Sequence, residues 1–139
     1  MALEMPSLFN SPPLDESGAK ITDWKSLVDN GTTIIKSSSL ASTTTTTVYT
    51  VTAGKSLYIF NVWLMCSASA GTDADGYIQI SGGAFMNIVA REITTSGTPT
   101  THSINKDLVI PIRLTGGTTI TLGQVSGGVV RGGIMGVEI

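Results

Sequence analysis

Few residues of this chain could do chemistry, and they stand in arrangements that chemistry does not use. Gly54-Lys55-Ser56 has the ending of a phosphate-binding loop. Such a loop needs a glycine five positions before Gly54 and a helix after the serine, so that backbone N–H groups face the phosphates. Position 49 is tyrosine and Ser56 opens an apolar run, so the triplet reads as a hairpin turn with Lys55 in solvent. Asp73-Ala74-Asp75-Gly76 resembles a fragment of a calcium loop. Two carboxylates two positions apart supply only part of the six to eight oxygens that a calcium ion takes. Asp75-Gly76 is also a favoured hairpin turn pair, so a turn is expected, with a weak ion site completed by a neighbouring subunit as the alternative. His102 ends a polar loop spanning residues 94–101, with no Asp, Glu or Cys beside it to build a triad or metal site. Glu92 with Asp107 could act as a glycosidase carboxylate pair only if the fold happened to bring them together.

The remaining candidates read in the same way. Cys66 is the single cysteine and lies in the most apolar segment, so it is expected to pack as a small buried hydrophobe. One cysteine and one histidine cannot form a structural zinc site. Asn30-Gly31-Thr32 matches an N-glycosylation acceptor, but without an export signal it reads as a turn. The run Thr43–Thr47 fits β-branched residues on an exposed strand, with an ice- or glycan-binding face as the alternative. Trp63 would serve a carbohydrate platform if exposed, but its apolar neighbours favour core or interface. The expectation is no catalytic residue, no cofactor and no metal.

These residues must be positioned by strands. Val48 to Cys66 reads as strand, tight turn, long strand. Alternate side chains of a strand leave on opposite sides of its sheet. Strict alternation puts Tyr58, Phe60, Val62, Leu64 and Cys66 on one face, and Leu57, Ile59, Trp63 and Met65 on the other. An antiparallel strand normally needs one apolar face, so a second one needs a second cover: more of this chain, or another copy.

From residue 32 onward the pattern is all β. Candidate strands are Thr32–Lys36, Thr46–Thr52, Ser56–Ser67, Gly76–Ile80, Ala84–Arg91, Ser103–Leu114, Thr118–Val125 and Val129–Ile139, separated by glycine-bearing turns. Alternation is clean in Ile104, Leu108, Ile110, Ile112 and Leu114, with Asn105, Asp107 and Arg113 opposite. Pro111 cannot donate to a ladder, which places that strand at an edge or in a bulge. The expected fold is an all-β antiparallel sandwich, jelly-roll-like, of about eight strands; an immunoglobulin-like sandwich is the alternative. Residues 1–31 form an extended N-terminal arm with a short helix, and 32–139 form the sandwich. The arm has Pro6, Pro12 and Pro13, with Met5, Leu8, Phe9 and Leu14 spaced as apolar pegs. Thr22 could cap a helix carrying Trp24, Leu27 and Val28 on one side and ending at Asn30-Gly31.

The 139 residues suffice for one domain with a real core. Charged residues make up 13%, about half the usual share of roughly 25%. Twenty Thr, fifteen Ser and sixteen Gly dominate the polar part. So few charges suit a protein that hides much of its surface in an assembly. A net charge of −2 gives no electrostatic footprint for nucleic acid. No window approaches the ~20 apolar residues of a membrane helix, and the N-terminus lacks a signal peptide. The expectation is a chain made and assembled in a host cytoplasm that leaves as part of a particle.

The run Val48-x-x-Val51-Thr52-Ala53-Gly54-Lys55-Ser56-Leu57-Tyr58-Ile59, followed by a long strand and a Ser/Ala/Gly loop, resembles small phage and archaeal-virus structural proteins. In these a V-x-A-G-K-x-[apolar]-x-I hairpin opens a β-sandwich, and the closing strand Ile134–Ile139 also fits. The resemblance covers about residues 45–139. It implies a virion protein, a minor capsid or decoration subunit in a symmetric oligomer, and carries over no catalytic residue. The expected function is a self-associating capsid subunit, not an enzyme. Its expected partners are copies of itself, as trimer or pentamer, and other capsid proteins. The expected subunit contacts are Leu8, Phe9, Leu14, Trp24, Leu57, Ile59, Trp63 and Met65. The alternatives are a glycan- or receptor-binding module such as a viral fibre tip, and a subunit of an extracellular filament.

Overall fold

The computed structural model describes residues 24–68, 71–81, 87–94 and 101–139. A short helix, α1 (Trp24–Asn30), precedes eight strands. These are β1 (Thr32–Leu40), β2 (Thr45–Thr50), β3 (Ser56–Ser67), β4 (Ala74–Ser81), β5 (Asn87–Thr94), β6 (Thr101–Thr115), β7 (Thr119–Gln124) and β8 (Val129–Glu138). They form two four-stranded sheets, β1-β8-β3-β6 and β2-β7-β4-β5, with every pairing antiparallel. The pairs β1/β8, β2/β7, β3/β6 and β4/β5 are nested, so the chain is one long hairpin rolled into two layers. That is the jelly roll, which decides against the immunoglobulin-like order.

The turns follow from glycine geometry. Gly54 enters β3 at φ +79°, and Gly117 enters β7 at φ +85°, values that L side chains avoid. The Lys55 amide donates to Thr52 O at 3.0 Å, closing a tight turn with Lys55 exposed. Ser56 begins the strand that the sequence reading expected there.

The strand β3 departs from strict alternation. Its register against both β6 and β8 shifts between Ile59 and Asn61. The extra residue of a β-bulge moves every later side chain to the other face. Leu57 and Ile59 therefore share the core with Val62, Leu64 and Cys66. Tyr58 and Phe60 pack on the outside with Leu27 of α1, Val137 and Ile139. This corrects the grouping expected from the sequence. Leu57 and Ile59 have no exposed surface, because the bulge lets both halves of β3 turn an apolar row inward.

Between the sheets, those residues meet Ile78, Ile120, Leu122, Val130 and Ile134. Burying each such side chain contributes about 1.5–3 kcal/mol. The layers approach closely at Gly132, where a Cβ would stand 2.9 Å from Ile78 Cδ1 and 3.0 Å from Leu122 Cδ1. Gly76 is similar: its missing side chain leaves room for Val130 and Cys66. Asp75-Gly76 is thus part of β4 and not a turn; the glycine answers to sheet packing.

At one end, Glu138 is buried, and its Oε2 accepts from Tyr49 Oη and from the Thr52 amide, both at 2.9 Å. These bonds join the last strand of one sheet to the β2 end of the other. Burial pushes the carboxyl up, but the Thr52 and Tyr49 hydrogen bonds and nearby Lys55 outweigh it and hold Glu138 below its ordinary value. Burial, and after it the Glu138 hydrogen bond, raise the Tyr49 hydroxyl.

Candidate interaction surface

The residues considered for chemistry are dispersed. Asp73 is exposed before β4, and Asp75 is buried within it. Both are tied through their backbone carbonyls to the β7–β8 connection: Ser126 Oγ donates to Asp73 O and the Val125 amide to Asp75 O. No group of three or more His, Cys, Asp or Glu among the described residues could hold a metal ion. His102 lies in β6, opposite Cys66, and not in a loop. Glu92 is in β5 and Asp107 in β6, on different sheets. Asn30 closes α1, its Nδ2 donating to Ser26 O at 2.8 Å, so the formal glycosylation motif is a helix end. Among the described residues no helix is long and apolar enough to cross a membrane.

What the fold does assemble is the outer face of the sheet β1-β8-β3-β6. Its register gives successive rows across the strands. Thr33, Val137, Tyr58 and Arg113 form the first; Ile35, Met135, Asn61 and Asp107 the second. Ser37, Gly133, Trp63 and Asn105 form the third; Ser39, Arg131, Met65 and Ser103 the fourth. The first row is roofed by α1: Leu27 is fully buried on Tyr58 and Val137. Gly31 lets the helix sit this close, and its amide donates to Leu27 O at 2.9 Å.

Beyond that roof the face is apolar and open. Ile35 is 68% exposed and Met135 42%, while Trp63 and Met65 are half-buried. Trp63 leans over Gly133, its Nε1 2.7 Å from where a Cβ there would stand. Toward β6 the face turns polar, with Asn61 Nδ2 donating to Asn105 Oδ1 and, at 2.8 Å, to Asp107 Oδ1.

The second surface feature is on the edge strand β6. Between Asp107, opposite Asn61, and Ile112, opposite Ile59, four residues of β6 face the single Phe60 of β3. Leu108 and Ile112 pack against the core, and Pro111 is buried. Val109 is 92% exposed. An excursion anchored on both sides thus holds an apolar side chain out into solvent. The proline reading of this segment holds in both respects, since β6 is an edge strand and departs from the ladder there.

Of the expected subunit contacts, the structure places Trp63 and Met65 on the outer face, and Leu57 and Ile59 in the core. Leu8, Phe9 and Leu14 lie outside the described residues, and of Trp24 only the backbone, at the start of α1, is described. Sequence reasoning missed Ile35, Met135 and Val109. Ile35 and Met135 sit in strands that looked ordinary, and Val109 fell in a run read as simple alternation.

No protein-family model matches the chain, and no curated protein matches it. Among solved structures, the chain is similar to a pentameric capsid protein isolated from metagenomic phage sequences. The identity is 22% over 91% of this chain and 73% of that one, with a TM-score of 0.43. It is also similar to a structure of the infectious bursal disease virus Gt strain, at 18% identity with a TM-score of 0.41. That match takes in 99% of this chain but only 38% of the other.

Proposed function

We propose that the chain is a virion structural protein: a jelly-roll capsid subunit, minor or decorating, that associates with copies of itself and with other capsid subunits. The observation that carries this reading is the β6 excursion, which fixes Val109 at 92% exposure on a sheet edge. An edge strand is a ready template for pairing with another chain, and β6 is one, with the anchored valine adding an apolar contact to that edge. Burying one valine contributes about 1.5 kcal/mol per contact, and a closed ring repeats that contact at every subunit. The low charge content and the Thr- and Ser-rich composition support the same reading. Leu8 and Phe9, beyond the Pro12-Pro13 pair, are further contacts to a neighbouring copy. The assembly is a trimer or pentamer, and its place is the virion, reached from the host cytoplasm. No catalytic step is assigned. Sedimentation of the purified chain over a concentration series tests this. A single closed oligomer is expected, and a monomer at every concentration refutes it.

A further inference from the structure

Each sheet has two edge strands, β1 and β6 in one and β2 and β5 in the other. An edge strand bares a row of backbone N–H and C=O groups on which another strand can build. Three of the four edge ladders carry a register shift: β2 between Thr47 and Tyr49, β5 opposite Ile78 and Gln79, and β6 at the excursion that holds Val109 out. Such shifts bend an edge and interrupt the ladder that a new strand would extend. The β1 ladder has none. It pairs with β8 without a break from Thr32 opposite Glu138 to Leu40 opposite Val130, and among the described residues no strand lies beyond it. Its one charged side chain is Lys36. We infer that Lys36 holds the β1 edge shut against a second copy of this chain. This goes beyond the capsid reading and does not depend on it, since β1 and β6 lie at opposite edges of their sheet.

The first argument is the direction of the side chain. Lys36 stands opposite Ile134, which is buried in the core, and two and four residues from Ile34 and Leu40, which are buried as well. With the period of two unbroken, Lys36 leaves on the core side of the sheet. Its place at the edge gives the ammonium a way out to water. It is exposed and makes no ion pair among the described residues. A strand laid on β1 would close that exit and strip water from a charge set between apolar rows, with no partner to offset the loss. An inward-pointing charge is one of the ways an edge is kept from pairing. Lys106 stands likewise, exposed and opposite buried Val62, in the part of β6 before its excursion.

The second argument is symmetry, and it names the partner. β1 runs from Thr32 to Leu40, so Lys36 is its central residue. Two β1 strands paired antiparallel in full register about a two-fold axis would merge two four-stranded sheets into one. The small Ser37, Ser38 and Ser39 allow that approach. Lys36, however, would face its own copy, with Cα atoms about 4.5–5.5 Å apart. Like charges directly opposite each other repel, and at this separation near a protein surface the repulsion shifts an association equilibrium by at least about tenfold. Lys36 thus opposes the pairing twice, through lost hydration and through its own image.

The test reads native mass in full chains that also carry Val109→Lys, so that contacts at β6 do not enter. Adding Lys36→Val is expected to double the mass of that parent, with far-UV circular dichroism unchanged and dimerisation tightened by at least about tenfold. Adding Lys36→Glu is expected to leave the parent's mass, because a carboxylate opposes the pairing for the same two reasons. Lys36→Cys removes the charge and sets two thiols across the axis, within the Cα separation of about 4.4–6.8 Å that a disulfide spans. It is expected to cross-link on mild oxidation far faster than Lys36→Val combined with Ser38→Cys, whose thiols would stand about 13 Å apart along the paired strands. The native Cys66 is buried in both. A Lys36→Val chain that keeps its parent's mass overturns the inference. So does a Lys36→Glu chain that doubles, or a Lys36→Cys chain that cross-links no faster than the Ser38→Cys control.

Discussion

Glu138 offers a prediction whose sign and size can be worked out. Its Oε2 takes two hydrogen bonds, from Tyr49 Oη and the Thr52 amide, in a site where the residue is buried. Hydrogen bonds to a charged group contribute about 1.5–3 kcal/mol each, roughly twice a neutral pair. Glu138→Gln keeps the shape and an oxygen in place, so both bonds survive without charge assistance; the expected cost at neutral pH is about 1–2 kcal/mol. The two hydrogen bonds and Lys55 hold the native carboxyl below its ordinary 4.5 despite burial. The unfolded chain therefore binds the proton first as pH falls, and stability rises with pH in this window. The contribution is fully present above the unfolded value and is lost as pH drops through the lowered native one. Urea unfolding of the two proteins at several pH values measures it. At pH 7 the midpoint of the variant should fall by about 0.5–1 M, given a slope of about 2 kcal/mol per M. The gap between the two should close as pH falls below 4.5, since the variant has no carboxyl to protonate. A gap that stays constant into the acid range would mean instead that the Glu138 charge contributes nothing.

Three further outcomes follow from the fold. Ile59→Ala and Leu64→Ala should each cost about 2–5 kcal/mol in urea unfolding, although they are five apart and a bulge-free strand would put one of them on the surface. Met65→Ala, beside Leu64, should cost under about 1 kcal/mol, and equal costs for 64 and 65 would contradict the bulge. Gly133→Ala should destabilise the β1–β8 edge and displace the indole, seen as a lower melting temperature with a shifted Trp63 emission, because its Cβ would stand 2.5 Å from Lys36 O and 2.7 Å from Trp63 Nε1.

Much of this architecture was legible in the chain because its punctuation is glycine with a geometric reason. Gly54, Gly117 and Gly128 all take positive φ at strand boundaries that the sequence already marked. The helix was legible as well: Leu27 is buried and Asn30-Gly31 ends it, though Val28, expected beside Leu27, is 49% exposed. The β3 bulge was not. From Leu57 to Cys66 every residue but Asn61 is apolar, so a period of two has no phase to read. Only Asn61 breaks the run, and it lies on the polar, outer side once the bulge has acted. Asp75-Gly76 misled for the opposite reason. Its dipeptide is a local turn signal, while the demand on Gly76 comes from Val130 across the sandwich, which no local window contains. Val109 stayed hidden because the excursion depends on how many residues of β3 face it.

On the proposed function, the anchored edge of β6 joins copies of this chain. The most direct test is the native mass of the unaltered chain beside Val109→Lys at equal micromolar concentration, with circular dichroism confirming that both are folded. The first is expected to form one closed oligomer and the second to remain a monomer. An unaltered chain that stays monomeric, or a Val109→Lys chain that assembles as before, would contradict it.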